Sequence, residues 1–152
     1  MTDNTGGVRF QRGNFVVSDL ERALVLYRDV LGMKLDFVKD SPDDSYSYPV
    51  FEIDRQATMR FAVLSTETQV RTMALTEIRG MDLPPVPHPR RSAIVLEIQD
   101  VDGVLRRARD AGFHVYEEER LVTHDGRVGR EVGIVDDDDN LVVIYHIPAA
   151  AS

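Results

Sequence analysis

Cysteine is absent from all 152 residues. That excludes a disulfide frame, a thiolate nucleophile and a Cys-ligated zinc together. Positive charge is scarce too. Lys and Arg number 18 against 26 Asp and Glu, a formal net charge of −8, so binding to nucleic acid would need a local cationic patch. The nearest thing to one is the Arg90–Arg91 pair in HPRRS, which has no aromatic residues interleaved with it. No apolar run approaches the roughly 18 residues of a membrane span. The first residues, MTDNTGGVRF, lack both the positive start and the apolar core of a signal peptide. The expectation is a chain that engages neither membrane nor nucleic acid, with the cytoplasm as its default location. At 43% hydrophobic and 29% charged residues, the composition suits one globular domain with its own core.

What is present is a repeat. GNFVVSDLERALVLYRDVLGMKLDFV (13–38) and AIVLEIQDVDGVLRRARDAGFHVYEE (93–118) share one grammar: apolar strand, Asp, helix, Gly, strand. Leu20, Ala23, Leu24, Tyr27 and Leu31 recur at helical spacing, as do Val101, Val104, Leu105 and Ala108. Ser18 with Glu21 predicts a capping box, and Asp100 a cap for the second helix. Gly32 and Gly112 stand where a left-handed residue would end each helix. Asp19 to Gly32 is one residue longer than Asp100 to Gly112, so the units match with a single gap. Further strand candidates follow at 48–53, 58–64 and 70–78, and again at 130–136 and 140–147. The predicted architecture is α+β: two pseudo-symmetric βαβββ modules, 8–80 and 92–148, within one domain (1–152), joined by a Pro-rich connector at 81–91.

The run DDDDN (136–140) poses the metal question directly. Alternate carboxylates in a loop can converge on Ca²⁺, but this stretch lacks a full ligand loop with its terminal Glu. Asp and Asn also tolerate left-handed backbone and cap their own turns, so the run is read as the turn that starts a strand.

The stretches DLERALVLYRDVLGMKL, VDGVLRRARDAGFHV and DDDDNLVVIYHI resemble the glyoxalase/bleomycin-resistance/dioxygenase superfamily, the vicinal oxygen chelate fold, over about residues 8–148. The resemblance implies paired modules whose mixed sheet curls into a cup for a small ligand, and it implies a homodimer. Its members include lyases, isomerases, dioxygenases and metal-free antibiotic binders, so fold alone does not set the reaction. Metal-using members hold a divalent ion on four strands. The corresponding places here are Arg12, seven residues before Asp19; Ala93, seven before Asp100; Val143, three beyond Asn140; and Ala74 in TMALTE. None carries a side chain able to ligate a cation. A different register in that last strand would bring in Glu77. No metal or other cofactor is therefore expected, except under the alternative that the ligands lie elsewhere.

Strand alternation then sorts the lining. If Arg12 faces the cup, so does Asn14, while Phe15 and Val17 face the helices; Val95 and Glu97 follow Ala93, and Leu141 and Tyr145 follow Val143. Arg12 is the candidate electrophile, a fixed charge for a carboxylate or oxyanion, or else the structural partner of Glu97. Glu97 is the candidate general base. Asn14, Tyr48, Val95, Val143 and Tyr145 complete the candidate ligand contacts, Tyr48 from a polar loop (41–49) that either folds over the mouth or is simply solvated. The histidines at 88, 114, 124 and 146 have no metal-site spacing. Two functions stand out: a small-molecule binder, or a metal-independent lyase or isomerase using Arg12 and Glu97. The alternative is a metal-dependent lyase, isomerase or extradiol-type dioxygenase.

Overall fold

The structure, a computed structural model, describes residues 6–149. The ends of the expected 1–152 domain, residues 1–5 and 150–152, lie outside the described residues. The first module contains β1 (Gly13–Val17), α1 (Leu20–Leu24), a π-helical continuation (Val25–Val30), β2 (Lys34–Asp40), α2 (Ser47–Val50), β3 (Thr58–Ser65) and β4 (Met73–Arg79). The second contains β5 (Ile94–Glu97), α3 (Val101–Asp110), β6 (His114–Val115), β7 (Glu119–Val122), β8 (Val128–Val135) and β9 (Leu141–His146). Among the described residues these strands form two mixed sheets, ordered β1-β4-β3-β2 and β5-β9-β8-β6, with β7 also along β8. In each, the first strand pairs parallel with the last and the rest is antiparallel. The architecture is α+β, as the repeat predicts.

The one-residue mismatch between the repeats has a physical outcome. In the first helix Leu31 N–H donates to Leu26 C=O at 2.9 Å, an i→i−5 bond, so the surplus residue is absorbed as a π turn. The second helix lacks the surplus and stays α-helical throughout. Both helices end as expected, on Gly32 (φ +87°) and Gly112 (φ +85°), a left-handed conformation that costs glycine nothing extra.

Three sequence expectations need correcting. The first helix is capped by Asp19, not Ser18: the Asp19 carboxylate accepts from Arg22 N–H at 3.2 Å. Ser18 instead gives its backbone N–H to Asp138 at 2.9 Å, and Glu21 leans toward Arg60, 3.6 Å away. The supposed strand at 48–53 is the short helix α2, followed by Glu52 at φ +57°. Pro49 supplies no N–H for a sheet but sits comfortably in a first helical turn. The strand after the second helix is interrupted: β6 and β7 both pair with β8, with residues 116–118 bulging between them.

One core serves both modules. Leu20, Leu24 and Tyr27 from the first helix meet Val104, Leu105 and Ala108 of α3, and Phe15, Leu75, Val132 and Ile144 close in from the sheets. Burying each large apolar side chain contributes about 2 kcal/mol, so neither module is expected to hold its sheet alone. Among the described residues, no helix is long and apolar enough to cross a membrane.

Candidate functional site

Alternation gives each sheet a core side and an outward side. On β1, Phe15 and Val17 are buried in the core, so Asn14 and Val16 face the sheet's other side, where Tyr48, Ile53, Ala57, Met59 and Ile78 form a second cluster against Val16. Register then fixes the neighbours: Asn14 pairs with Ala74, Ala74 with Val63, and Val63 with Phe37. Thr76, two residues beyond Ala74, donates its hydroxyl to Asn14 Oδ1 at 2.8 Å. Asn14 Nδ2 is buried without an acceptor among the described residues. Phe37 and Phe61 meet edge to face on this surface, ring centroids 6.1 Å apart.

The second sheet presents a different outward face. Glu97, Tyr145, Glu131 and Glu119 lie side by side across β5, β9, β8 and β7. Tyr145 donates its hydroxyl toward Glu97 at 3.4 Å, a long bond. Val95 is 62% exposed beside them and pairs with Val143. This face is acidic with an aromatic centre, whereas the first is apolar with an amide–hydroxyl pair.

The expected site residues are thus dispersed. Arg12 is exposed and donates its Nε to Arg71 C=O at 3.3 Å, so it is not the partner of Glu97. Tyr48 does not stand in a loop over the mouth; it is buried against the Val16 side of the first sheet, and it lines the cavity at that sheet's end. It is 5% exposed, packed with Ile53, Ala57, Met59 and Ile78, and its hydroxyl donates to Ala57 C=O at 2.7 Å. Apolar burial of the ring decides this, in a segment whose helix was not legible. Among the described residues there are cavities of about 300 Å³. One lies between the modules, lined by Gly13, Met33, Met73, Ile94, Val95 and Leu96 among others; another is at the end of the first sheet. Neither contains Arg12, Asn14, Glu97, Val143 or Tyr145. Sequence reasoning missed Thr76, Phe61 and Glu131. Period two in the strand from Ala74 would have found Thr76; the others needed the sheet register.

The Glu77 register question is resolved by β4. Glu77 turns to the core side, 1% exposed. It accepts from Leu20 N–H at 2.6 Å and from Arg60 Nε at 2.8 Å, with Arg79 Nε 2.7 Å away. Burial pushes its carboxyl up, but the Arg60 hydrogen bond, the Leu20 N–H and the two guanidinium charges outweigh that and hold it below the usual carboxylate range.

The four carboxylates of the acidic turn each have work in the fold. Asp136, buried, accepts from Tyr27 hydroxyl, Asn140 Nδ2 and the backbone N–H groups of Asp138 and Asn140, all at 2.9 Å. Burial outweighs these neutral donors and raises its pKa. Asp137 pairs with Arg22 at 2.7 Å, and Asp138 caps Ser18. Asp139, at φ +66°, holds His88 at 2.9 Å and pairs with Arg90. The connector is therefore pinned to the second module's turn. Among the described residues, no group of three or more His, Cys, Asp or Glu is arranged to hold a metal ion.

A family profile, the Glyoxalase/Bleomycin resistance protein/Dioxygenase superfamily, matches residues 9–144. The chain belongs to this superfamily. Solved structures of the family share the fold at low identity. A glyoxalase family protein from Bacillus cereus has a TM-score of 0.73 at 13% identity, covering 98% of this chain and 100% of that one. The trypanothione-dependent glyoxalase I of Leishmania major has a TM-score of 0.63 at 20% identity, covering 92% and 87%. The fosfomycin resistance protein FosX from Listeria monocytogenes, solved with Mn(II) and sulfate, has a TM-score of 0.57 at 15% identity, covering 93% and 92%. No curated protein matches the sequence. Set against the metal that the family implies, Arg12, Ala74, Ala93 and Val143 do not fit: a guanidinium and three hydrocarbon side chains offer no lone pair to a cation.

Proposed function

We propose that this superfamily member binds a small organic ligand on the outward faces of its sheets without the family's usual metal, as a cytoplasmic homodimer that engages no nucleic acid. It acts as a binder or as a metal-independent lyase or isomerase. The observation that carries this reading is the loss of donor chemistry at all four family positions together. The enzymatic form requires one ligand to reach both sheets, since Arg12 lies beside the first and Glu97 on the second; there Arg12 supplies the positive charge for a developing oxyanion. Glu97 takes the proton, with the Tyr145 hydroxyl alongside it. Asn14 offers an unused amide donor to a ligand carbonyl, and Val95 and Val143 supply apolar contact.

The metal-dependent lyase, isomerase or dioxygenase reading is kept alive by one observation: FosX, which shares the fold, was solved with Mn(II). Measuring the metal content of purified protein, then titrating Zn²⁺, Fe²⁺ and Ni²⁺ while following thermal stability, separates the readings; stoichiometric binding defeats the metal-free one. A ligand screen with product analysis separates binder from enzyme. Arg12→Ala is expected to weaken an anionic or carbonyl ligand by about 1–3 kcal/mol, and unchanged affinity removes Arg12 from the site.

A further inference from the structure

The cavity at the end of the first sheet has a charge pattern that its fold does not use up. Glu77 grips Arg60 and Arg79 by their Nε edges, at 2.8 and 2.7 Å. That leaves Nη1 of both guanidinium groups without an acceptor among the described residues. Asp40 lies opposite Arg60 across β2 and β3, and Asp43 follows at the rim. Neither carboxylate has a hydrogen bond or ion pair among the described residues; only the backbone carbonyl of Asp43 is engaged, by Arg55. The Tyr48 ring and Met59 supply an apolar floor. The volume, about 300 Å³, is at the small end of ligand sites. Arg60, Glu77 and Arg79 sit on the core side of β3 and β4, whereas Met59 and Tyr48 lie on the Asn14–Thr76 side, so the cavity wraps the end of the sheet; it does not include Asn14 or Thr76.

An isolated anion would meet Asp40 and Asp43 as well as Glu77, which Arg60 and Arg79 already share, and an isolated cation would meet those two guanidinium groups. A molecule with both charges satisfies both walls. We propose that this cavity is a ligand site for a small zwitterion, its carboxylate on Arg60 and Arg79 and its cationic end on Asp40 and Asp43. The proposal does not depend on the outward-face reading.

The test is an NMR and calorimetric titration of the full chain at low salt. The probes are ω-amino acids from β-alanine to 6-aminohexanoate, with butyrate and butylamine as single-charge controls. At least one amino acid should saturate below about 50 mM and shift the Tyr48 and Thr58 amides, and each control should bind at least about tenfold more weakly. Arg79→Ala and Asp43→Asn, both at exposed positions, should each weaken binding about tenfold or more, while Arg127→Ala, in the exposed turn before β8, leaves it unchanged. The proposal is overturned if no amino acid saturates, if a control binds as well, or if neither variant weakens the complex.

Discussion

Arg60 and Arg130 occupy the same place in the two modules and solve different problems. Arg60 pairs across its sheet with Glu77, and Arg130 pairs across its own with His146. Where the neighbour is a buried carboxylate, the arginine turns inward and shares it with Arg79 and the first helix N–H. Where the neighbour is histidine, the arginine turns out to Asp102 and Glu118, at 2.8 and 2.7 Å. Even the helix acids correspond: Glu21 and Asp102 each stand two residues after their cap, yet Glu21 is only a distant 3.6 Å partner. A repeat can keep its backbone plan while moving its electrostatics from interior to surface. The interior version carries more energy and more risk, because removing one partner strands the others without water.

Glu77→Ala should therefore be the most damaging change. It leaves Arg60 and the Leu20 N–H unpaired, and a loss of about 3 kcal/mol is expected in urea unfolding, tempered by the exposure of Arg79. A loss under about 1 kcal/mol would make the two modules equivalent after all.

Acid should expose the same asymmetry. The Glu77 pKa is depressed on folding, so its contribution is full above the unfolded carboxylate pKa and is lost as pH falls through the lower folded value. Asp136 runs the other way. Its folded pKa is raised, so its share of stability is present below the unfolded pKa and lost as pH rises through the folded one. Compared with wild type, Glu77→Gln should flatten the acid limb of stability against pH, and Asp136→Asn should steepen it. An unchanged curve for Glu77→Gln defeats the assignment.

The glycine caps offer a control where the modules should agree. Gly32→Ala and Gly112→Ala each force alanine into a left-handed conformation with no backbone clash. Each is expected to cost about 1 kcal/mol, and calorimetric melting temperatures should fall together. Unequal losses would trace to the π turn that precedes Gly32.

The smallest effect is expected from Arg130→Ala, about 0.5 kcal/mol, because its partners are solvent-exposed. Near 1 M salt that difference should vanish, while the Glu77→Ala deficit persists. A salt-resistant Arg130 effect would place its pairs in a drier setting than their exposure indicates.

Much of the fold was legible because hydrophobic period and punctuation agree. Phe15 and Val17 alternate inward, Leu20, Leu24 and Tyr27 return on one helix face, and Gly32 and Gly112 stop both helices. Helix α2 escaped because YPVF is apolar enough for a strand, and only Pro49 argued otherwise. The cap at Asp19 escaped because Ser18 also fits a capping box. The candidate site was legible one strand at a time: Asn14 and Glu97 follow from alternation, but Thr76 beside Asn14 and Glu131 beside Tyr145 follow from register. The burial of Tyr48 was not legible because an aromatic in a polar loop carries no mark of which way it packs.

By itself the sequence determined the repeat, the single surplus residue and the guanidinium and three hydrocarbon side chains at the family's metal positions, since spacing and side-chain chemistry are properties of the chain alone. Tertiary structure alone decided that the surplus would become a π turn and that Glu77 would face the core between two arginines. It also decided that the acidic turn would clasp Tyr27, Arg22 and Arg90. Those outcomes depend on which distant residues are brought within hydrogen-bonding reach, and local pattern carries no record of that.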